Sequence, residues 1–139
     1  MPSVNEMNFE TVIKTRGQLV YTNVGDSMYP LIQPRDLLVI KALEEPLKQY
    51  DIPLYKRDNG QYVLHRIMRI KNGEYIMCGD NRCCPELGIT DRHIIGVLTD
   101  IIRDGKTIPV EPPNHSLWFK SMMYRRIVFK IKKWKRQIK

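Results

Sequence analysis

No stretch of the chain approaches the roughly 20 consecutive apolar residues of a membrane-spanning helix, so a span of that kind is not expected. The opening residues, MPSVNEMNFETVIK, carry two acids and lack the apolar run of a secretory signal peptide. Cysteine is scarce, with three in 139 residues, and Cys78, Cys83 and Cys84 lack the paired C-x-x-C spacing of a zinc site. They read as free thiols near a loop, in a chain whose missing export signal points to a reducing compartment. The three histidines, His65, His93 and His115, are scattered. No metal or organic cofactor is implied. Internal repeats and low-complexity segments are also absent. A content of 42% hydrophobic and 27% charged residues excludes a disordered chain and suits one globular domain.

Acids are missing from one region in particular. Residues 116–139 hold nine Lys/Arg and no Asp or Glu. Of the 23 basic residues that leaves 14 against 15 acids in residues 1–115, so the net charge of +8 belongs to the tail. Attraction to anionic partners must come from there.

The pattern in between is β. A short helix is expected over Asn5 to Lys14, followed by strands in QLVYTNV, DLLVIKAL, PLYKR, QYVLHRIMRI, EYIMC, IIGVLTDIIR and KTIPVE. Asp58-Asn59-Gly60, Lys71-Asn72-Gly73 and Asp104-Gly105 are hairpin signals, because Asn and Gly tolerate positive φ. Strands joined this way are antiparallel, so the expected fold is a β meander, not a βαβ unit. The run Pro109-Val110-Glu111-Pro112-Pro113 ends the sheet. Beyond it Ser116 is an N-cap candidate, and Phe119, Met123, Ile127, Ile131, Trp134 and Ile138 recur on one face of a helix. Two units follow: residues 1–115, the β domain with its short N-terminal helix, and 116–139, a basic amphipathic helix.

Three polar positions stand out. Gly25-Asp26-Ser27-Met28-Tyr29-Pro30 follows a strand, and Gly25 would permit a sharp turn presenting the Ser27 hydroxyl beside free backbone N–H groups. The same residues also fit an ordinary turn in which Ser27 bonds its own backbone. Strand alternation puts His65 with Val63 and Ile67, either as a hydrogen-bonded core residue or as a base shielded from bulk water. A serine becomes nucleophilic when such a base removes its proton. An unperturbed imidazole titrates near ~6.5, so activity would rise between mildly acidic and neutral pH. A third group must hold the ring, and Asp80, directly after EYIMC, is the first candidate.

The boxes GDSMYPLIQPRDLLVI, YDIPLY, YVLHRIMRI, GDNR and DRHIIGVLTDI together resemble the signal peptidase I group of serine peptidases, from Gln18 to Ile102. The resemblance implies the antiparallel coiled β-sheet fold of the LexA/signal peptidase type. It also implies serine endopeptidase activity, with Ser27 as nucleophile, His65 as general base and Asp80 as supporting carboxylate; Glu86, near the place of a second acidic residue usual in the family, and Asp91, both expected in the loop beyond EYIMC, are the alternatives for that third role. Histidine where most bacterial members carry lysine is similar to the endoplasmic-reticulum and archaeal form. The implied substrate is a leader- or signal-like peptide with small side chains before the cut. Two departures are Tyr50 and Pro53, which replace a glycine and a β-branched residue, and the family's usual membrane anchor is missing. The expected location is cytoplasmic, with the tail as a peripheral contact to an anionic membrane surface, where aromatic and basic side chains suit a lipid interface. A tail docked on its own β domain is a near-equal reading, and nucleic acid ranks last. The rival function is a non-catalytic peptide-binding or regulatory β module targeted by that tail.

Overall fold

The structure, a computed structural model, describes residues 8–110 together with Ile131, Trp134 and Lys135. But for those three, the helix expected over 116–139 lies outside the described residues. Helix α1 (Phe9–Arg16) starts later than the sequence suggests. The Asn8 side chain accepts the Thr11 N–H at 2.8 Å and caps the first turn, and Gly17 at φ 79° closes the last.

The strands are β1 (Gln18–Thr22), β2 (Leu37–Lys41), β3 (Pro53–Lys56), β4 (Tyr62–Leu64), β5 (Arg66–Lys71), β6 (Glu74–Cys78), β7 (Glu86–Thr90), β8 (Ile94–Arg103) and β9 (Lys106–Pro109). They form an antiparallel, mainly β fold, as the turn signals predict. A six-stranded sheet runs β1-β2-β8-β3-β4, with β9 also on β8, and a three-stranded sheet runs β5-β6-β7. All three predicted hairpins occur: β3 with β4, β5 with β6 and β8 with β9. Ten-residue β8 is the spine, holding β2 along one edge and β3 and β9 along the other.

The expected single strand QYVLHRIMRI is broken at His65, and its halves enter different sheets. Ile67 explains the break. Its carbonyl accepts from Tyr50 N and its own N–H donates to Asp51 O, each at 2.8 Å, so the chain takes new partners just past the histidine. A register shift between Ile67 and Arg69 follows, and Arg66, Ile67 and Met68 are all buried. Simple alternation through His65 is therefore lost. Glu86 and Asp91 are likewise not loop residues. Glu86 opens β7 and Asp91 begins a 3-10 helix (Asp91–His93). That strand escapes a periodicity search because Gly88, at φ 85°, interrupts a short segment whose pairing with β6 is itself irregular.

Two apolar clusters make most of the core among the described residues, beside a small third one at Met68 and Cys78. Ile13, Met28, Ile32, Leu38, Ile40, Leu54 and Ile101 pack α1 and the segment after Ser27 onto the larger sheet. Tyr55, Val63, Ile67, Tyr75, Met77 and Ile89 come from both sheets and fix them against each other around the His65 junction.

Candidate active site

The segment carrying Ser27 is anchored from within. Its neighbour Met28 and Ile32 are almost fully buried. Asp36, also buried, accepts Gln33 N at 2.8 Å and two bonds from Arg103, at 2.9 and 2.6 Å, while Arg103 also donates to Leu31 O. The Arg103 hydrogen bonds hold the Asp36 carboxyl below its usual range against the opposing effect of burial. The loop is thus tied to the end of β8, and Ser27 sits half-buried at its turn.

Gly25, expected to provide the turn, is dispensable on geometric grounds: its φ is not positive and a Cβ there would meet nothing. The glycine that matters is Gly79. A Cβ on it would lie 2.5 Å from Ser27 O and 3.2 Å from His65 Cδ2, so the bare backbone of Gly79 lets the serine loop and the histidine ring flank one residue. The rest of the turn locks this approach. Asn81 N donates to Ser27 O at 2.8 Å, Asn81 Nδ2 to Asp26 O at 3.1 Å, and Arg82 pairs with Asp26 at 2.8 Å.

Ser27 and His65 line the same cleft, of about 460 Å³, together with Arg57 and Arg82. The cleft also takes residues from β1 and β4, the two ends of the larger sheet, and Phe9 of α1, which stacks on Tyr21 at 5.3 Å. Burial lowers the His65 pKa to about 4, with the Arg57 charge adding to the effect and Glu86 opposing it. The imidazole is therefore neutral at pH 7 and able to accept a proton.

The three carboxylate candidates fall in three different places. Asp80 is buried and gives both oxygens to Arg66, at 2.8 Å each, rather than to the histidine ring. Its N–H meets Met28 Sδ at 3.4 Å. Its charge nevertheless reaches His65 and raises the ring's proton affinity. Asp91, in the 3-10 helix, accepts from the hydroxyl of buried Tyr75 on β6 at 2.5 Å. Glu86 is reached through a residue not singled out from sequence. The Tyr55 hydroxyl donates to Glu86 Oε1 at 2.7 Å and lies 3.3 Å from His65 Nδ1. Arg57 grips the same carboxylate with Nε at 2.8 Å and Nη2 at 3.0 Å. The sequence marks Arg66 and Tyr55 only as members of the YVLHRIMRI and YDIPLY boxes.

Fold and site together define a β-sheet scaffold with a serine and a neutral histidine in one cleft. The Peptidase S24-like family matches residues 5–99, and the chain belongs to that family, within the LexA/signal peptidase superfamily. A search of curated proteins finds no match. The expected antiparallel β fold agrees with the family. Among the described residues no helix is long and apolar enough to cross a membrane.

Proposed function

We propose that the protein is a serine endopeptidase of the histidine type, resembling the signal peptidase group, and that it cleaves a leader- or signal-like peptide. The observation that carries this reading is the shared cleft, where Ser27 and a neutral His65 both lie against Gly79. His65 would take the Ser27 hydroxyl proton as Oγ attacks the peptide carbonyl. It would return that proton to the leaving amine, and water would then release the acyl-enzyme. In this reading Asp80 supports the imidazolium through space while fixing the Gly79–Arg82 turn through Arg66. The cleft lies between β1 and β4, both of them at the ends of a sheet, which suits an extended peptide that adds main-chain hydrogen bonds. The basic segment 116–139 would hold the enzyme on an anionic membrane surface.

A serine-reactive acylating probe tests the assignment. The full chain should be labelled at Ser27, and Ser27→Ala or His65→Ala should each abolish labelling and cut peptide turnover on the order of 10³-fold or more. A folded wild-type protein that resists the probe would instead be the non-catalytic module.

A further inference from the structure

Tyr55 lies on β3 in the larger sheet, Glu86 on β7 in the smaller one, and His65 at the break between them. A side chain of the smaller sheet thus reaches the ring nitrogen through one of the larger sheet. The direction of each hydrogen bond can be worked out. Burial alone would raise the Glu86 carboxyl, but hydrogen bonds from Arg57 and Tyr55 bring it below its usual range, so it is an anion and can only accept. Burial and then Glu86 push the Tyr55 pKa well up, so the phenol keeps its proton. That single hydrogen is committed to Glu86 Oε1 at 2.7 Å. What Tyr55 offers His65 Nδ1, 3.3 Å away, is a lone pair.

We infer that Tyr55, held by the Glu86–Arg57 pair, is a positioning residue that sets the tautomer of His65 by accepting the Nδ1 hydrogen and leaving Nε2 bare. An unconstrained neutral histidine prefers the opposite tautomer, with hydrogen on Nε2, so the preference must be imposed. The orienting anion stands one residue further off than in a direct carboxylate–imidazole contact. Arg57 neutralises much of its charge, so Tyr55 contributes direction more than field. The T-shaped packing of the two rings, with centroids 6.3 Å apart, limits rotation of the imidazole about the same axis. Tyr55 is fully buried, and Arg57 also bonds Gln61 at 2.7 Å, which ties the arrangement to the rim of the cleft.

The role of Tyr55 in catalysis rests on the peptidase reading; the tautomer itself does not. The test is long-range proton–nitrogen NMR of the full chain labelled with ¹⁵N, at neutral pH, where each ring nitrogen of His65 reports its own protonation. The wild type should show hydrogen on Nδ1 and a bare Nε2. Tyr55→Phe keeps the ring and removes the acceptor, so its His65 should shift toward the Nε2–H form. With a leader-type peptide, kcat of that variant should fall by about tenfold or more with KM little changed. Hydrogen on Nε2 in the wild type overturns the inference, even if Tyr55→Phe fails to fold. So does an unchanged tautomer in a folded Tyr55→Phe. A wild type with Nδ1–H but no turnover would leave the tautomer assignment standing and remove the peptidase reading instead.

Discussion

Gly79→Ala should separate catalysis from folding more sharply than any change to the polar residues. The added Cβ would sit 2.5 Å from Ser27 O, a backbone atom that cannot rotate away. An ordinary contact needs about 1 Å more than that. Either the serine loop or the 79–82 turn must move, and the Asn81 N–Ser27 O bond of 2.8 Å stretches with it. On the other side His65 Cδ2, at 3.2 Å, and Arg82 Cγ, at 3.1 Å, are also tighter than normal. Overpacking of this kind costs roughly 1–3 kcal/mol of stability. A displacement of about 1 Å at reacting groups costs on the order of 10²-fold in rate. Two other glycines supply controls. Gly96→Ala meets Lys41 O at 2.7 Å and Ile40 Cγ2 at 2.9 Å, so it should lower the melting temperature comparably, yet leave the rate of the folded enzyme near wild type. Gly25→Ala meets nothing and should change neither. Thermal melts by circular dichroism and acylation of Ser27 by the probe read the two effects separately. If Gly79→Ala acylates at the wild-type rate, or Gly25→Ala is the damaging change, the close packing of the serine loop and His65 on Gly79 is not what organises the site.

The acid limb of kcat/KM should rise through about pH 4 and then stay level across neutrality, because burial depresses His65 and the neutral ring is the active form; a limb near ~6.5 would mean a solvated imidazole. The same depression predicts that stability falls as pH drops from ~6.5 toward 4, by up to roughly 3 kcal/mol, since the unfolded chain takes up the proton first; in denaturant titrations the difference in stability between wild type and His65→Gln should change with pH over that window alone. Asp80→Asn should leave the buried Arg66 charge half-satisfied and cost about 3–5 kcal/mol, so a melting temperature equal to wild type would contradict the pairing. The full chain should sediment with anionic vesicles, release in high salt and ignore neutral ones, whereas a chain ending at Asn114 should stay in solution and still cleave a short peptide; equal sedimentation of both forms would place the membrane contact elsewhere.

The fold was legible where local chemistry decides it. Asn59-Gly60, Asn72-Gly73 and Asp104-Gly105 each prescribe a tight turn, and each joins the antiparallel pair expected of it. What escaped was set by long-range partners. Nothing in the alternation of QYVLHRIMRI signals a change of sheet, because the break is made by Tyr50 and Asp51 bonding Ile67 from another segment. Ser27 and His65 could be picked by residue type, and they do line one cleft. The surroundings of the histidine could not. Asp80, just past the end of a strand, pairs with Arg66 instead of the ring, and Glu86 bonds Tyr55, 31 residues away in sequence, whose hydroxyl meets the ring.

The charges around His65 also account for how a pKa near 4 is compatible with a working base. Two arginines, Arg57 and Arg82, and two carboxylates, Glu86 and Asp80, act on the ring, and each lies in an ion pair: Arg57 with Glu86, Arg82 with Asp26, and Asp80 with Arg66. Paired in this way their fields largely cancel at the imidazole, and burial, the largest influence, is left to depress it. A ring so depressed is always unprotonated at neutral pH but is a weak base, and the imidazolium formed during attack needs support that appears only then. Glu86 and Asp80 both favour the protonated ring, and the Tyr55 oxygen keeps an acceptor on Nδ1 throughout. Their contribution grows as the ring gains charge, whereas the resting neutral ring gains little from them, which is the differential stabilisation that raises kcat rather than binding. Removing Glu86 charge by Glu86→Gln should therefore lower the acid-limb pKa further and reduce kcat together. A variant in which the limb moves while kcat holds would show that the carboxylate sets the resting ring without supporting the charged one.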